Sequence, residues 1–319
     1  MIDVIVPAYR GLEETRRCIE SVLASRGRAP FALTVIDDAS PEPALSAWLA
    51  GEAAAGRFHL VVHRENLGFV ASVNEGMALH PDRDVVLLNS DTEVAPGWLD
   101  RLAACAARQP KAGTVTPFSN NATICSYPDP ARGGPLPPGT DVGALDRAFA
   151  ESNAGASVEI PTAVGFCMFI RRACLREVGA FDEAAFGRGY GEEVDFCRRA
   201  ARAGWRNLLC GDVFGYHAGE VSFGGGSQDL RDRAQRIVDE RHPEFMPEVR
   251  DWFARDPAAP LRQRVAVRLA SRDAIARAGL PEDPASPAAA PVVAVLALAG
   301  EVEEARLEHV VGPVRNQAD

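Results

Sequence analysis

Short apolar runs punctuate the first 120 residues, and each gives way to a polar break followed by apolar positions at helical spacing. The runs are Val4 to Val6, Leu33 to Ile36, Leu60 to Val62, Val85 to Leu88 and Thr114 to Thr116. Runs this short and this apolar read as strands covered on both faces. Between the first two, Cys18, Ile19, Val22 and Leu23 share a helical face while Glu13, Glu14, Arg16 and Arg17 occupy the others. This predicts a strand, helix, strand unit with a right-handed crossover. The pattern as a whole predicts an α/β fold, with helices on both faces of a mixed, mostly parallel central sheet.

Further on, a Pro- and Gly-rich loop at 127–143 interrupts the pattern and is placed to close over a site. Order resumes with a strand over 162–170, a helix over 192–203 that stops at Gly204, and a short strand over 213–216. Beyond residue 256 the character changes to an Arg-rich amphipathic helix over 261–278, an Ala/Pro linker over 281–291, and a final piece, 292–319, without assignable pattern. The expected organisation is one domain over 1–256, with a nucleotide-binding half (1–120) and an acceptor-binding and catalytic half (121–256), followed by a helical and Ala/Pro-rich extension over 257–319.

Composition narrows the function. A formal net charge of −10 argues against nucleic acid as a partner. Seven cysteines, scattered and without a Cys-x-x-Cys pair, fit reduced thiols better than a disulfide framework or a zinc site. No apolar run reaches the roughly 18 residues of a membrane span, and Met1 leads directly into a strand. A cytoplasmic protein is expected, and docking at the inner face of a membrane and pairing of two copies are both compatible with the sequence.

The polar residues that follow the strands carry the candidate chemistry. In an open α/β sheet, ligands bind beyond the carboxyl ends of parallel strands. Pro7 and Tyr9 end the first strand, and Asp37 and Asp38 end the second. A ring and a carboxylate at that edge suit a nucleobase, although turn chemistry explains them equally. Gly68 opens a helix that carries Asn74, with small residues that permit close approach of a ligand or tight packing on the sheet. Asn89, Ser90 and Asp91 follow the fourth strand, where a hard divalent cation would find an oxygen ligand in Asp91. Glu192, Glu193 and Asp195 open a helix; they are ordinary partners of a helix dipole, and they are also candidates for a general base. His217 sits at a strand end before a loop containing Gly224, Gly225 and Gly226.

Taken in order, VIVPAY, VIDDAS, NLGFVASVNEGM, LLNSDTEV, SNNA, GFCMFIRRACLREVGAFDE, GYGEEVDFCRRA and YHAGEVS resemble the family 2 glycosyltransferases, inverting enzymes with the GT-A fold. The NLGF and GAFDE segments look most like the rhamnosyltransferase-like bacterial branch that builds surface polysaccharides. The resemblance implies a dTDP- or UDP-linked sugar donor and a saccharide or lipid-linked saccharide acceptor. It implies that Pro7, Tyr9 and Asp38 hold the base and ribose, with Gly68, Asn74, Asn89 and Ser90 beside them, and that Asp91 and His217 bind Mn²⁺ or Mg²⁺. Glu193 matches the catalytic base, supported by Glu192 and Asp195, and Gly165, Phe166, Phe181 and Asp182 line the acceptor side. Two positions depart from the family pattern: Asn89 replaces the first Asp of the metal motif, and Glu193 replaces an Asp base. The rival readings are a catalytically impaired homologue acting as a scaffold or partner subunit, and a sugar-1-phosphate nucleotidyltransferase.

Overall fold

The computed structural model describes residues 1–25, 27–219 and 227–277. The Gly224 to Gly226 loop, Ala278, the linker at 281–291 and the final piece lie outside the described residues. In chain order the first part consists of β1 (Ile2–Ala8), α1 (Leu12–Ala24), β2 (Phe31–Asp37), α2 (Pro43–Ala54), β3 (His59–Val62), α3 (Phe69–Ala78), β4 (Asp84–Leu88), β5 (Thr92–Val94), α4 (Trp98–Arg108) and β6 (Ala112–Ser119). The second contains α5 (Val142–Ser152), β7 (Ser157–Glu159), β8 (Cys167–Ile170), α6 (Arg172–Val178), α7 (Glu183–Phe186), α8 (Glu192–Arg202), β9 (Arg206–His217), α9 (Ser227–Arg241), α10 (Phe245–Arg255) and α11 (Ala259–Arg277).

These strands form one nine-stranded sheet ordered β3-β2-β1-β4-β8-β6-β9-β5, with β7 also paired to β9. The first four run parallel. β8 runs antiparallel between β4 and β6, whereas β6 and β9 are parallel. Side chains alternate across a strand, so each apolar run feeds both faces. Val86 and Leu88 enter one core with Val4, Val6 and Phe149; Val85 and Leu87 enter the other with Ile5, Val73 and Phe196. Each such aliphatic side chain contributes roughly 1.5–3 kcal/mol of burial, enough to fix the register of the edge where the strands end.

The predicted strand over 162–170 is a strand only in its last four residues. Upstream, the Ala163 amide donates to Cys197 Sγ and the Val164 amide to Thr116 Oγ1, so side chains take the backbone donors that a ladder would use. The predicted strand at 213–216 is the end of the much longer β9. Along the outer edge of β9, β7 pairs with Leu208 to Cys210 and β5 with Gly215 to His217. Between them, the Gly211 amide donates to the Ala156 carbonyl and the Phe214 amide to the buried Asp146 carboxylate, which Arg101 holds at 2.6 Å. Leu261 and Val265 of α11 enter the same core as β9, so the division set at residue 256 falls inside one packed unit.

Candidate active site

The carboxyl ends of β1, β2, β4, β6 and β9 open on one side of the sheet, where a cleft of 470 Å³ collects residues from Pro7 to Arg231. Pro7, Tyr9, Asp38, Gly68, Asn89, Ser90, Asp91, Gly165, Phe166, Glu192, Glu193 and His217 all line it. Residues 127–143 contribute nothing to its wall.

At one end, Asp38 is a hub. Its carboxylate accepts from the Leu67 and Gly68 amides at 2.8 Å each, and its Oδ1 lies 2.8 Å from His63 Nδ1. The other ring nitrogen of His63 meets Glu75 at 2.8 Å. Burial works to lower the His63 pKa, but the two carboxylates outweigh it and hold the ring above its ordinary value. Gly68 adopts φ +91°, and a Cβ there would fall 2.7 Å from Arg188 Cα. The turn that Asp38 secures therefore presses against the segment leading to α8, and the Phe69 amide donates to the Arg188 carbonyl at 3.1 Å.

In the middle of the cleft, Asp91 and His217 face each other, with His217 Nε2 3.4 Å from Asp91 Oδ1 and 3.4 Å from Asn89 Nδ2. The Asn121 carbonyl lies 2.6 Å from His217 Nδ1, which places the proton there and turns Nε2 toward Asp91. Asn120 secures the same residue through its backbone, accepting from the His217 amide at 2.8 Å and donating to its carbonyl at 3.0 Å. Phe166 stacks on the imidazole at 5.3 Å, and the Gly219 amide donates to Asp91 Oδ2. Burial opposes a charge on His217, but Asp91 and the Asn121 carbonyl raise its pKa. The same negative field favours a divalent cation at Nε2. One imidazole and one carboxylate, each oriented by a neighbour, fit a cation that takes its remaining ligands from phosphate oxygens. Among the described residues no third acidic, His or Cys side chain completes a metal cluster.

Glu192 and Glu193 stand at the far wall. The chain reaches them through Tyr190 at φ +71° and Gly191 at φ +84°, and the left-handed tyrosine is the kind of strained residue that collects at functional sites. Each glutamate has an Oε2 that is buried without a hydrogen-bond partner among the described residues. Burial, and then the charge of Glu193, push the Glu192 pKa well up. Burial also raises Glu193, opposed by the amides of Glu193, Gly191 and Val194.

Four predicted site residues are held elsewhere. Asn74 grips the backbone of Phe181, donating to its carbonyl at 3.0 Å and accepting from its amide at 3.1 Å. Phe181 is a core residue packed edge-on against Phe196 at 5.5 Å. Asp182 caps α7 through the Ala185 amide and pairs with Arg241. Asp195, predicted to support the base, is neutralised by Arg199 at 2.7 Å, His242 at 2.9 Å and Arg241 at 3.3 Å. Conversely, the wall includes Asn66, Asn121, Arg188, Tyr190 and Arg231, none of them singled out from the sequence. The Arg231 guanidinium lies 5.0 Å from the Tyr190 ring centre, and with Arg188 it brings positive charge to a cleft otherwise rich in carboxylates. The SNNA segment was the available signal for Asn121, and GRGYG for Arg188 and Tyr190.

The model of the glycosyl transferase family 2 matches residues 3–179. Among curated proteins, the chain is 31% identical over 165 residues to the N-acetylglucosaminyl-diphospho-decaprenol L-rhamnosyltransferase of Mycobacterium tuberculosis, covering 45% of this chain and 53% of that one. It is 28% identical over 205 residues to the pre-mycofactocin glycosyltransferase of the same organism, covering 64% and 40%. An uncharacterized protein of Sinorhizobium fredii matches at 25% identity over 277 residues, 82% of this chain and 28% of its own length. The chain thus spans between 28% and 53% of these relatives. Among solved structures, the mannosyltransferase of Pyrobaculum calidifontis in complex with GDP-Man and Mn²⁺ superposes with a TM-score of 0.53 at 20% identity, over 93% of this chain and 80% of that one. GalNAc-T7 with UDP, GalNAc and Mn²⁺ gives 0.55 at 18%, over 75% and 47%. These two likenesses show the GT-A fold.

Proposed function

Because the chain belongs to glycosyl transferase family 2, we propose that its cleft moves a sugar from a nucleoside-diphosphate donor to a hydroxyl of a saccharide or lipid-linked saccharide, with inversion at the anomeric carbon. The observation that carries this reading is Glu193, a carboxylate with a buried oxygen that has no partner among the described residues, in the same cleft as the Asp91 and His217 pair. Burial makes that oxygen a stronger base than an exposed glutamate, which suits removal of a proton from an attacking hydroxyl. Tyr9 offers a face on which a base stacks, and Asp38 retains acceptor capacity for a base N–H beyond the bonds it already makes. Asp91 and His217 would hold Mn²⁺ or Mg²⁺, which when bound supplies positive charge opposite the departing diphosphate. Arg188 and Arg231 add further positive charge to the cleft lining. No covalent enzyme intermediate is required.

The sequence resemblance favours a dTDP- or UDP-linked donor and a role in surface polysaccharide assembly, and the likeness to an N-acetylglucosaminyl-diphospho-decaprenol L-rhamnosyltransferase supports a lipid-linked saccharide acceptor. Among the described residues no helix is long and apolar enough to cross a membrane. The reading is tested by donor turnover in Glu193→Gln. General bases contribute on the order of 10²–10⁴ in rate, and a loss in that range is expected with donor affinity retained. Full turnover in the variant would remove Glu193 from the role of base.

A further inference from the structure

Two consecutive glutamates at a helix start present side chains roughly 100° apart, yet Glu192 and Glu193 both reach the same cleft and both leave an Oε2 buried and unpartnered among the described residues. One base suffices for proton removal, so the second carboxyl group needs its own explanation. Glu192 is 5% exposed and its helix position does not require a carboxylate. Two ionised carboxylates side by side in a dry site repel, and such a pair keeps one proton. Depth selects which: Glu192 is buried whereas Glu193 is only half-buried, and burial together with the charge of Glu193 pushes the Glu192 carboxyl well up. The other charged residues of the cleft are Asp38, Asp91, His217, Arg188 and Arg231, and none outweighs burial and Glu193 in their effect on Glu192.

We propose that Glu192 works as a neutral carboxyl group that binds the transferred sugar, donating its O–H to one sugar hydroxyl and accepting through its carbonyl oxygen, while Glu193 alone is the base. An ionised carboxylate only accepts; the acid offers one donor and one acceptor, which matches the mixed character of a hydroxyl or a vicinal pair. Glu192 is then a determinant of sugar recognition. This rests on the glycosyl-transfer reading, and the test separates the two.

Calorimetry on the full chain with Mn²⁺ compares each nucleoside diphosphate with its sugar conjugate: UDP with UDP-glucose, dTDP with dTDP-rhamnose, GDP with GDP-mannose. For the pair that binds, Glu192→Ala is expected to weaken the sugar conjugate about tenfold while shifting the bare nucleotide less than about twofold. Glu192→Gln, which keeps a donor and an acceptor, is expected to stay within about threefold for both. Sugar-conjugate affinity that survives Glu192→Ala would overturn the proposal with the transfer reading intact, as would a loss of turnover in Glu192→Gln equal to that in Glu193→Gln. If the wild-type chain binds none of the six ligands, the transfer reading itself falls and takes this proposal with it. Melting temperatures of the variants report whether each is folded, and Glu192→Gln carries the test if Glu192→Ala is not.

Discussion

The ring of His63 is clamped between Asp38 and Glu75, with both nitrogens engaged at 2.8 Å. A neutral imidazole donates through one nitrogen only, so full engagement of both carboxylates needs the protonated ring. Because the folded-state pKa is raised, the stabilisation is complete below the ordinary histidine value and is lost as pH rises through the folded-state value. Melting temperature measured from about pH 6 to about pH 9 is therefore expected to decline more steeply in the wild type than in His63→Gln. Parallel slopes would exclude the clamp as a contributor. Asp38 stood out in the sequence only through its place after a buried strand, a position that turn chemistry explains equally, and its carboxylate does accept from the Leu67 and Gly68 amides. His63 did not stand out, since its partners come from two other elements. For the same reason Asn74 was misread: its amide suits a ligand as well as it suits the Phe181 backbone, and only the fold distinguishes them.

Elements transmit these contacts. α3 is preceded by its cap Gly68, whose positive φ and contact with Arg188 admit no Cβ. Gly68→Ala is expected to cost about 1–3 kcal/mol from backbone strain alone, and to push on the 187–191 segment that delivers the glutamate pair. A lower melting temperature together with at least about tenfold slower turnover is the expected outcome; a variant with lower stability and normal turnover would show that α8 is positioned independently of α3. Strand positions in the first half were legible because β4 and its neighbours are apolar on both faces, a property that the sequence displays directly. The stretch before β8 was not, because the partners of its amides are a cysteine and a threonine from distant elements. The triple pairing of Asp195 with Arg199, Arg241 and His242 was hidden likewise: two of its three partners lie at the end of α9 or just beyond.

At the scale of the molecule, the cleft draws on segments between Pro7 and Arg231, and their order along the chain was readable although their spacing in three dimensions was not. Such a site is assembled only by the complete sheet, so ligand binding and global stability are linked. With a nucleoside diphosphate present, Mn²⁺ is expected to raise the melting temperature in proportion to its binding, and Asp91→Asn to abolish the metal-dependent part of that rise. An equal Mn²⁺ effect in the variant would locate the cation elsewhere. The two margins of the sheet also differ. On the β9 side, β7, the Ala156 carbonyl, the Asp146 carboxylate and β5 consume the outward backbone groups in succession. The β3 side ends in four residues with Val62 at 62% exposure. The outermost strands β3, β5 and β7 are only four, three and three residues long, so strand-to-strand stacking between molecules, the route by which sheet proteins coalesce into insoluble fibres, finds a poor template for growth at either margin.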